Sequence, residues 1–185
     1  MNCGFFTPTT MQIIFETTRL ILRQFTLDDA PLIYQLNQDP EVVKYVHEPP
    51  LTSVDQAQEI IANIILPQYP NNLGRWAIHL KENNAFAGWC GLKYRADVDE
   101  IDLGYRLMKH YWGIGIATEA ASHCLQYGFQ NLNLKTIIGK AHIDNLASIG
   151  VLEKIGMNFI STGMEDECPI NIYSASHPAY NSLSL

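Results

Sequence analysis

The chain has 185 residues, of which 47% are hydrophobic and 17% charged, and its formal net charge is −7. These values suit one globular domain with a sizeable core, and the acidic balance disfavours sequence-independent binding to nucleic acid. No apolar run reaches the roughly 18 residues of a membrane-spanning helix, and the first residues lack a secretory signal. The sequence therefore predicts a cytoplasmic protein with neither nucleic-acid nor membrane partners.

Cysteine and histidine are scattered along the chain. Four cysteines without a C-x-x-C pair argue against a structural zinc site and a disulfide framework. Cys90 and Cys124 lie in apolar segments and are predicted to be buried thiols. Because His79, His123 and His142 lack the spacing of metal ligands, no metal site is expected.

The N-terminal part begins with a short β-rich segment. Residues 1–10 are predicted to be a disordered tail, and residues 11–185 a single domain. Arg19–Phe25 is a predicted strand. A Thr-x-x-Asp capping signal at Thr26 begins a helix that is expected to stop at Pro40.

A second helix and a hairpin follow. The helix is predicted over Val54–Leu66, with Ser53 at its start and Pro67 ending it. Arg75–Lys81 and Ala85–Tyr94 have the pattern of a β-hairpin. Two glycines inside the second arm indicate a bulge or the close approach of another backbone.

The segment Glu100–Met108 alternates in the manner of a strand. One face carries Ile101, Leu103, Tyr105 and Leu107. The other carries Glu100, Asp102 and Arg106, and it would meet water or a ligand.

The C-terminal part alternates helices and strands. From Glu100 to Ile143, a strand, a helix and a strand predict a right-handed βαβ unit in an otherwise largely antiparallel sheet. The predicted elements after the first strand are a helix to about Gln130, a strand Lys135–Ile143, a helix Asn145–Ile155, and short strands Asn158–Thr162 and Ile170–Ser174. This order indicates an α+β fold.

A turn with two glycines, W-G-I-G-I-A, joins the strand to its following helix. Backbone amides from Ile114 to Thr118 would point out of the first helical turn, where the helix dipole favours a phosphate or pyrophosphate. The turn lacks the Gly-Lys-Ser/Thr ending of a P-loop. Thr118 replaces the third glycine of the dinucleotide fingerprint. From these residues alone, a purely structural turn remains the alternative.

The element order, together with WGIGIATEA and NLASIGVLEKIGM, resembles the GNAT superfamily of acetyl-CoA-dependent N-acetyltransferases. The resemblance covers about residues 13–180. TTRLILRQFTLDDA and IDLGYRL look like the opening elements and the fourth strand of the RimJ/RimL-like branch, which acetylates ribosomal protein N-termini. It implies the GNAT fold, a mixed, mostly antiparallel sheet with helices on both faces and one βαβ unit.

Two positions depart from the superfamily's pattern. Trp112 stands where the phosphate loop usually opens with Gln or Arg, as is common in this branch. Leu152 stands where many relatives carry a tyrosine that protonates the departing thiolate.

The resemblance implies direct attack of an amine on the thioester of acetyl-CoA, so the amine must lose a proton. Asp102 would be the general base, through water, with Glu100 as the alternate. The residues alone leave open that both carboxylates are solvated charges on a strand face. A backbone N–H in the stretch Leu103–Tyr105 would bind the developing oxyanion.

The resemblance also implies roles at the start of the late helix. Asn145 would contact the pantetheine arm, and Ser148 would donate to the leaving sulfur. From spacing alone, Asn145 is a helix cap and Ser148 faces solvent. The full set expected to bind acetyl-CoA is Leu103, Trp112, Gly113, Ile114, Gly115, Ile116, Ala117, Thr118, Asn145 and Ser148.

The predicted partners are acetyl-CoA, as cosubstrate, and an amine acceptor, with the protein a monomer or homodimer. The acceptor is a protein N-terminus or a small amine such as a polyamine, an amino sugar or an antibiotic. Three segments were expected to decide this: Tyr45–Ser53, Pro67–Asn72 and the chain after Gly163. The rivals are a CoA-binding sensor that has lost catalysis and a nucleotide-binding module.

Overall fold

The computed structural model describes residues 12–46 and 48–177, so the predicted tail, residues 1–10, lies outside the described residues. The strands are β1 Ile13–Glu16, β2 Leu20–Gln24, β3 Gly74–Leu80, β4 Phe86–Arg95, β5 Glu100–Leu107, β6 Thr136–His142, β7 Asn158–Glu165 and β8 Cys168–Ser176. The α-helices are α1 Ala30–Asn37, α2 Pro40–Val43, α3 Val54–Ile60, α4 Ile116–Gln130 and α5 Leu146–Lys154.

The eight strands form one sheet in the order β1-β2-β3-β4-β5-β6-β8-β7. Neighbouring strands are antiparallel except β5 and β6, which are parallel and joined through α4. The predicted strand–helix–strand unit in a largely antiparallel sheet is thereby confirmed.

The sheet is covered on both faces because successive residues of a strand point to opposite sides. Trp76 and Ile78 belong to a core with residues of α4 and α5, whereas Ala77 between them belongs to a core with residues of α1 and α3. Cys90 and Cys124 are fully buried free thiols in the first core, as predicted, with their sulfurs 3.3 Å apart.

The predicted helix starts are present, and α1 ends before Pro40 as predicted, but the predicted stop of the second helix at Pro67 is wrong. The Asp29 carboxylate accepts from the Thr26 amide at 2.8 Å, and Ser53 Oγ accepts from the Gln56 amide. Pro40 also opens the short helix α2, because proline is tolerated at a first helical position. For the same reason Pro67 lies in the first turn of a 3₁₀ segment that prolongs the second helix.

The terminal strands are longer than predicted. A strand β1 precedes the predicted first strand and pairs with it antiparallel. β7 and β8 form one hairpin closed by Asp166 and Glu167, both at positive φ (46° and 65°). Its turn sequence lacks the glycine that usually marks such a turn, which is why the sequence indicated two short, separate strands.

The glycines of β4 lie where another backbone comes close. A Cβ on Gly91 would lie 1.9 Å from Gly74 O, and one on Gly88 would lie 2.1 Å from Arg106 O. A register shift between β3 and β4 falls opposite Gly88. The predicted bulge and close approach are both confirmed.

We expect Gly91→Ala to destabilise the protein by at least about 3 kcal/mol, because the added methyl group meets backbone that has to move. Urea unfolding followed by circular dichroism measures this. The matched control is Gly150→Ala in α5, where a Cβ meets nothing within 4 Å. There alanine should stabilise by up to about 1 kcal/mol. Equal stability of the two variants would contradict the packing described here.

Among the helices of the described ranges, none is long and apolar enough to cross a membrane.

Candidate active site

Two cavities open beside the point where β5 and β6 separate. The first, which we call the turn groove, has a volume of about 500 Å³ and is lined by the glycine turn, the start of α5 and residues 41–46. The second, which we call the strand cavity, has a volume of about 300 Å³ and is lined by residues 102–106 of β5, residues 140–142 of β6 and the β7–β8 turn. Tyr105, Asn145 and Ser148 line both, so the two cavities meet at these side chains.

The glycine turn exposes the amides of the first turn of α4. Gly113 and Gly115 adopt φ values of 76° and 83°, which cost a non-glycine residue about 1–2 kcal/mol. Gly115 is the N-cap of α4, without a side-chain cap. Within the described residues, the first helical amide to donate there is that of Glu119, to Gly115 O at 3.0 Å. The preceding amides form a cradle suited to an anion.

The outer side of the turn is held by the loop between β1 and β2. Arg19 Nη1 donates to Ile114 O at 3.0 Å, and Arg19 Nε donates to Glu119 at 2.6 Å. The same carboxylate accepts from the Thr17 hydroxyl and the Arg19 amide. Because Arg19 ties down a carbonyl of the turn, the turn is fixed before any ligand arrives. The sequence indicated none of these contacts, since about 100 residues separate the partners.

The residues predicted to bind the cofactor differ in whether their side chains or only their main-chain groups can reach a ligand. Trp112 is exposed, and its Nε1 donates to Leu107 O at 2.9 Å. Ile114 is exposed beside the groove. Ile116 and Leu103 are only 2% exposed, with side chains in the core, so they can offer only main-chain groups. Ala117 and Thr118 line the turn groove.

The parallel strands β5 and β6 pair only at Asp102 and Leu103, and then separate. On the other edge of β5, the Met108 amide donates to Ala87 O of β4. Alternate residues of an antiparallel ladder bond to the same neighbour. The Tyr105 amide therefore faces the gap beside β6, inside the stretch predicted to bind an oxyanion.

Tyr105 and Ser148 form a hydroxyl pair at the junction of the cavities. The Tyr105 hydroxyl lies 2.8 Å from Ser148 Oγ and donates to Ser148 O at 3.0 Å. Burial raises the pKa of Tyr105 above its ordinary value, so its proton is retained at neutral pH. Asn145 caps α5, its Oδ1 accepting from the Ser148 amide at 3.1 Å. The capping role expected from spacing is present, but the Ser148 hydroxyl faces Tyr105 as well as the cavities.

Sequence reasoning assigned the Tyr105 side chain to the apolar face of β5 and so overlooked its hydroxyl. The available signal was a tyrosine among buried aliphatic residues, because a buried hydroxyl needs a partner. Leu152, in place of the family's tyrosine, is 1% exposed and packs in the core. Its side chain cannot donate a proton to a ligand in either cavity.

Asp102 lines the strand cavity and makes no hydrogen bond or salt bridge with the described part of the chain. Burial raises the pKa of Asp102 to about 6; Lys140 opposes this shift, Glu165 adds to it, and Arg95 and Arg75 oppose it to a lesser extent. A carboxylate poised near neutrality with an accessible oxygen has the properties of a general base.

Glu100, the predicted alternate, is engaged with another residue. Lys140 Nζ lies 3.3 Å from its carboxylate. Glu100 is absent from the described lining of both cavities. The two carboxylates, predicted as base and alternate, thus differ in their surroundings.

The acceptor segments expected from the sequence are only partly adjacent to the site. Tyr45, Val46 and Glu48 line the strand cavity, and so do Glu165 and Asp166. Of the predicted segment Pro67–Asn72, all but the capping residue Asn72 belongs to a 3₁₀ segment, and none of it contributes to the described lining of either cavity. The prolines suggested a loop, but the first turn of a 3₁₀ segment accommodates proline.

Comparison with solved structures shows what fold this architecture belongs to. Ribosomal L7/L12 α-N-protein acetyltransferase RimL, in complex with coenzyme A, superimposes with a TM-score of 0.80 at 19% identity, covering 91% of this chain and 99% of that one. Spermidine N-acetyltransferase from Vibrio cholerae, in complex with CoA and spermine, gives 0.74 at 18% identity, covering 89% and 99%. The predicted α+β fold of GNAT acetyltransferases is confirmed.

Residues 19–158 match the family described as acetyltransferase (GNAT) domain. An N-acetyltransferase of Bacillus licheniformis, the uncharacterized protein p20, is 36% identical over 140 residues, which cover 75% of this chain and 79% of that protein. The chain belongs to the GNAT acetyltransferase family. Membership of the RimJ/RimL-like branch remains a prediction.

Proposed function

We propose that the protein transfers the acetyl group of acetyl-CoA directly to a primary amine. The observation that carries the proposal is the meeting of the two cavities at Tyr105 and Ser148. The glycine turn lies on one side of that junction, and on the other lies a half-buried carboxylate, Asp102, without a partner among the described residues. The thioester supplies the electrophilic carbonyl, and the residues of this chain bind, orient and move protons.

The turn groove binds the cosubstrate. The amides from Gly113 to Thr118 grip the diphosphate, and the positive φ of both glycines keeps those amides turned outward. Lys44 and Lys154 line the same groove and add positive charge near the phosphates. Asn145 and Ser148 then lie where the pantetheine arm leads to the strand cavity.

Asp102 accepts a proton from the incoming ammonium group, through a water molecule, and the freed lone pair attacks. A C–N bond forms as the C–S bond breaks. The Tyr105 amide, which faces the gap between β5 and β6, donates to the carbonyl oxygen as it gains charge.

The thiolate that leaves takes its proton from Ser148, and Tyr105 replaces the Ser148 proton through their 2.8 Å contact. The amine nitrogen loses its second proton as the amide forms. This proton replaces the one that the Tyr105–Ser148 hydroxyl pair gave to the thiolate. The balance is one ammonium ion and one thioester giving one amide, one thiol and one proton.

The acceptor is a primary amine. The resemblance to the RimJ/RimL-like branch favours a protein N-terminal α-amine. The solved neighbours bear the names of one enzyme for a ribosomal protein and one for spermidine, so both acceptor classes belong in the test. A cytoplasmic location and a monomeric or homodimeric state stay predictions from the sequence.

The test is release of free CoA thiol from acetyl-CoA in the presence of N-terminal peptides, polyamines, amino sugars and amino acids. We expect turnover with at least one class. Binding of acetyl-CoA without turnover on any amine would contradict the proposal and favour the non-catalytic sensor. Binding of NAD or ATP in preference to acetyl-CoA would favour the nucleotide-binding module.

We expect Tyr105→Phe to lower kcat about 10- to 100-fold, because Ser148 loses the hydroxyl that replenishes its proton. Stopped-flow detection of the thiol measures this with an accepted amine. Affinity for acetyl-CoA should stay within about twofold, since the amides of the glycine turn are untouched. The control is Tyr94→Phe, an exposed tyrosine on β4 whose hydroxyl contacts Asp99. If both variants have the same kcat, the hydroxyl pair has no part in the chemistry.

A further inference from the structure

Most of the charges around the strand cavity are paired. Arg95 contacts Asp97 and Glu165. Arg106 bonds to Asn37 and lies 3.2 Å from the Glu48 carboxylate.

Lys140 contacts Glu100 and Glu165. Each of the charged groups named so far therefore has an opposite charge within 4.0 Å, and none needs a ligand to balance it.

Arg75 is the exception among the cations that line the cavity. Its guanidinium lies over the Trp89 ring, 4.4 Å from the centroid, and makes no hydrogen bond or salt bridge with the described part of the chain. Arg106 lies over the same ring at 5.7 Å, so two like charges share one aromatic platform. Burial and the nearby Arg106 lower the pKa of Arg75, yet an arginine in a protein keeps its charge.

Two carboxylates of the described lining, Asp102 and Asp166, likewise have no hydrogen bond or salt bridge with the described part of the chain, and of these Asp166 is exposed while Asp102 is half-buried. Among the described residues, this cavity of about 300 Å³ thus holds an arginine and a half-buried carboxylate, Arg75 and Asp102, that have no ionic partner. The two interact electrostatically, each shifting the pKa of the other, but they do not touch. Leaving both partly desolvated without a partner is unfavourable, and a ligand carrying both charges would satisfy them together.

We propose that the acceptor is a small zwitterion, whose ammonium group is held at Asp102 and whose carboxylate or phosphate is bound by Arg75. The guanidinium presents a fork of donors that matches either anion in two parallel hydrogen bonds. This inference rests on the proposed function and narrows it to amino acids and aminoalkyl phosphates. The volume of the strand cavity suits a molecule of that size.

The acetyl transfer itself follows the steps given above. The ammonium group loses its proton to Asp102, the C–N bond forms, and the thiol leaves. Arg75 takes no part in bond making. Its role is to fix the acid group so that the nitrogen faces the junction at Tyr105, and it is therefore a specificity-determining residue.

The experiment compares matched acceptors that differ only in the acid group. One arm sets L-amino acids against their amides, and a second sets O-phosphoethanolamine against ethanolamine. Spermidine and a peptide whose first residue is aspartate complete the panel. We expect kcat/KM to be about 10- to 100-fold higher for the zwitterion than for the matched amine without an acid group in at least one arm. The arm that shows this identifies the anion as carboxylate or phosphate.

Arg75→Met should abolish that preference, because it raises KM for the zwitterion far more than for the amine without an acid group. Arg75→Lys keeps the positive charge on a smaller head group and should retain part of the preference. It serves as a control for misfolding of Arg75→Met. Lys93→Met is the matched control, because Lys93 lies opposite Asp102 on β4 but outside the described cavity lining. It should keep the preference.

Turnover of the amines without an acid group, of spermidine or of the peptide, with no preference for a zwitterion, would overturn this inference. The proposed function would still stand. A preference unchanged in Arg75→Met would overturn the inference as well. Absence of turnover on every amine would instead remove the proposed function, and the inference with it.

Discussion

Asp102→Asn is expected to lower kcat/KM about 10²- to 10⁴-fold, because the amine then has no base to accept its proton. Burial raises the pKa of Asp102 to about 6. The wild-type rate should therefore climb about tenfold per pH unit below pH 6 and level off above it, where the carboxylate is ionised. The variant should lack this step. Steady-state rates between pH 5 and 8, with saturating acetyl-CoA, measure both effects.

A second readout of the same substitution is stability. A carboxyl group whose pKa is raised in the folded state binds its proton more tightly there than in the unfolded chain, so stability falls as the pH rises from about 4 to 6. Above pH 6 the ionised Asp102 carries that full cost, and Asp102→Asn should then be more stable than the wild type. Lower stability of the variant at pH 8 would show that the carboxylate has a structural partner.

The matched control is Glu100→Gln, which removes a carboxylate on the same face of β5 that is bound to Lys140. We expect it to change kcat/KM less than about tenfold and to keep the step near pH 6. If Glu100→Gln causes the larger loss instead, Glu100 is the base.

Gly115→Ala is expected to weaken acetyl-CoA binding about tenfold or more. Gly115 adopts φ 83° at the start of α4, and a non-glycine residue in that region loses about 1–2 kcal/mol, where 1.4 kcal/mol corresponds to a factor of ten in affinity. The strain is relieved only if the turn changes shape and its amides turn away. Isothermal titration calorimetry with acetyl-CoA measures the effect.

The control ligand is acetyl-pantetheine, which has the thioester but no diphosphate. Its weaker affinity should be the same for Gly115→Ala and the wild type, and Gly150→Ala should leave both ligands unaffected, since its site is open and lies outside the turn. Equal losses for the two ligands would mean that the turn does not contact the diphosphate.

Local signals in the sequence were sufficient to predict the glycine turn and much of the fold. The spacing of Gly113 and Gly115 between a strand and a helix reports a backbone requirement, which the positive φ values confirm. The capping residues Thr26 and Ser53 act within three residues of themselves. Such features depend on neighbours in the chain, and the sequence displays them directly.

The remaining features depend on pairs that are distant in sequence. The Tyr105–Ser148 contact joins residues 43 positions apart. The Arg19–Glu119 pair spans 100 positions. That Arg75 has no ionic partner emerges only once Arg95, Arg106 and Lys140 are seen to pair with Glu165, Glu48 and Glu100. Residue type and alternation cannot reveal which charged side chains form ion pairs. The pairing pattern on which the acceptor proposal rests could therefore not be predicted from the sequence.

The most direct test of the account is a crystal structure of the protein with acetyl-CoA and the non-reacting acceptor analogue of its best substrate. The account predicts the diphosphate within hydrogen-bonding distance of the amides from Gly113 to Thr118. The sulfur should lie beside Ser148 and Tyr105, and the acceptor should occupy the cavity that holds Asp102. A diphosphate bound away from the glycine turn, or a thioester outside the junction of the two cavities, would contradict it.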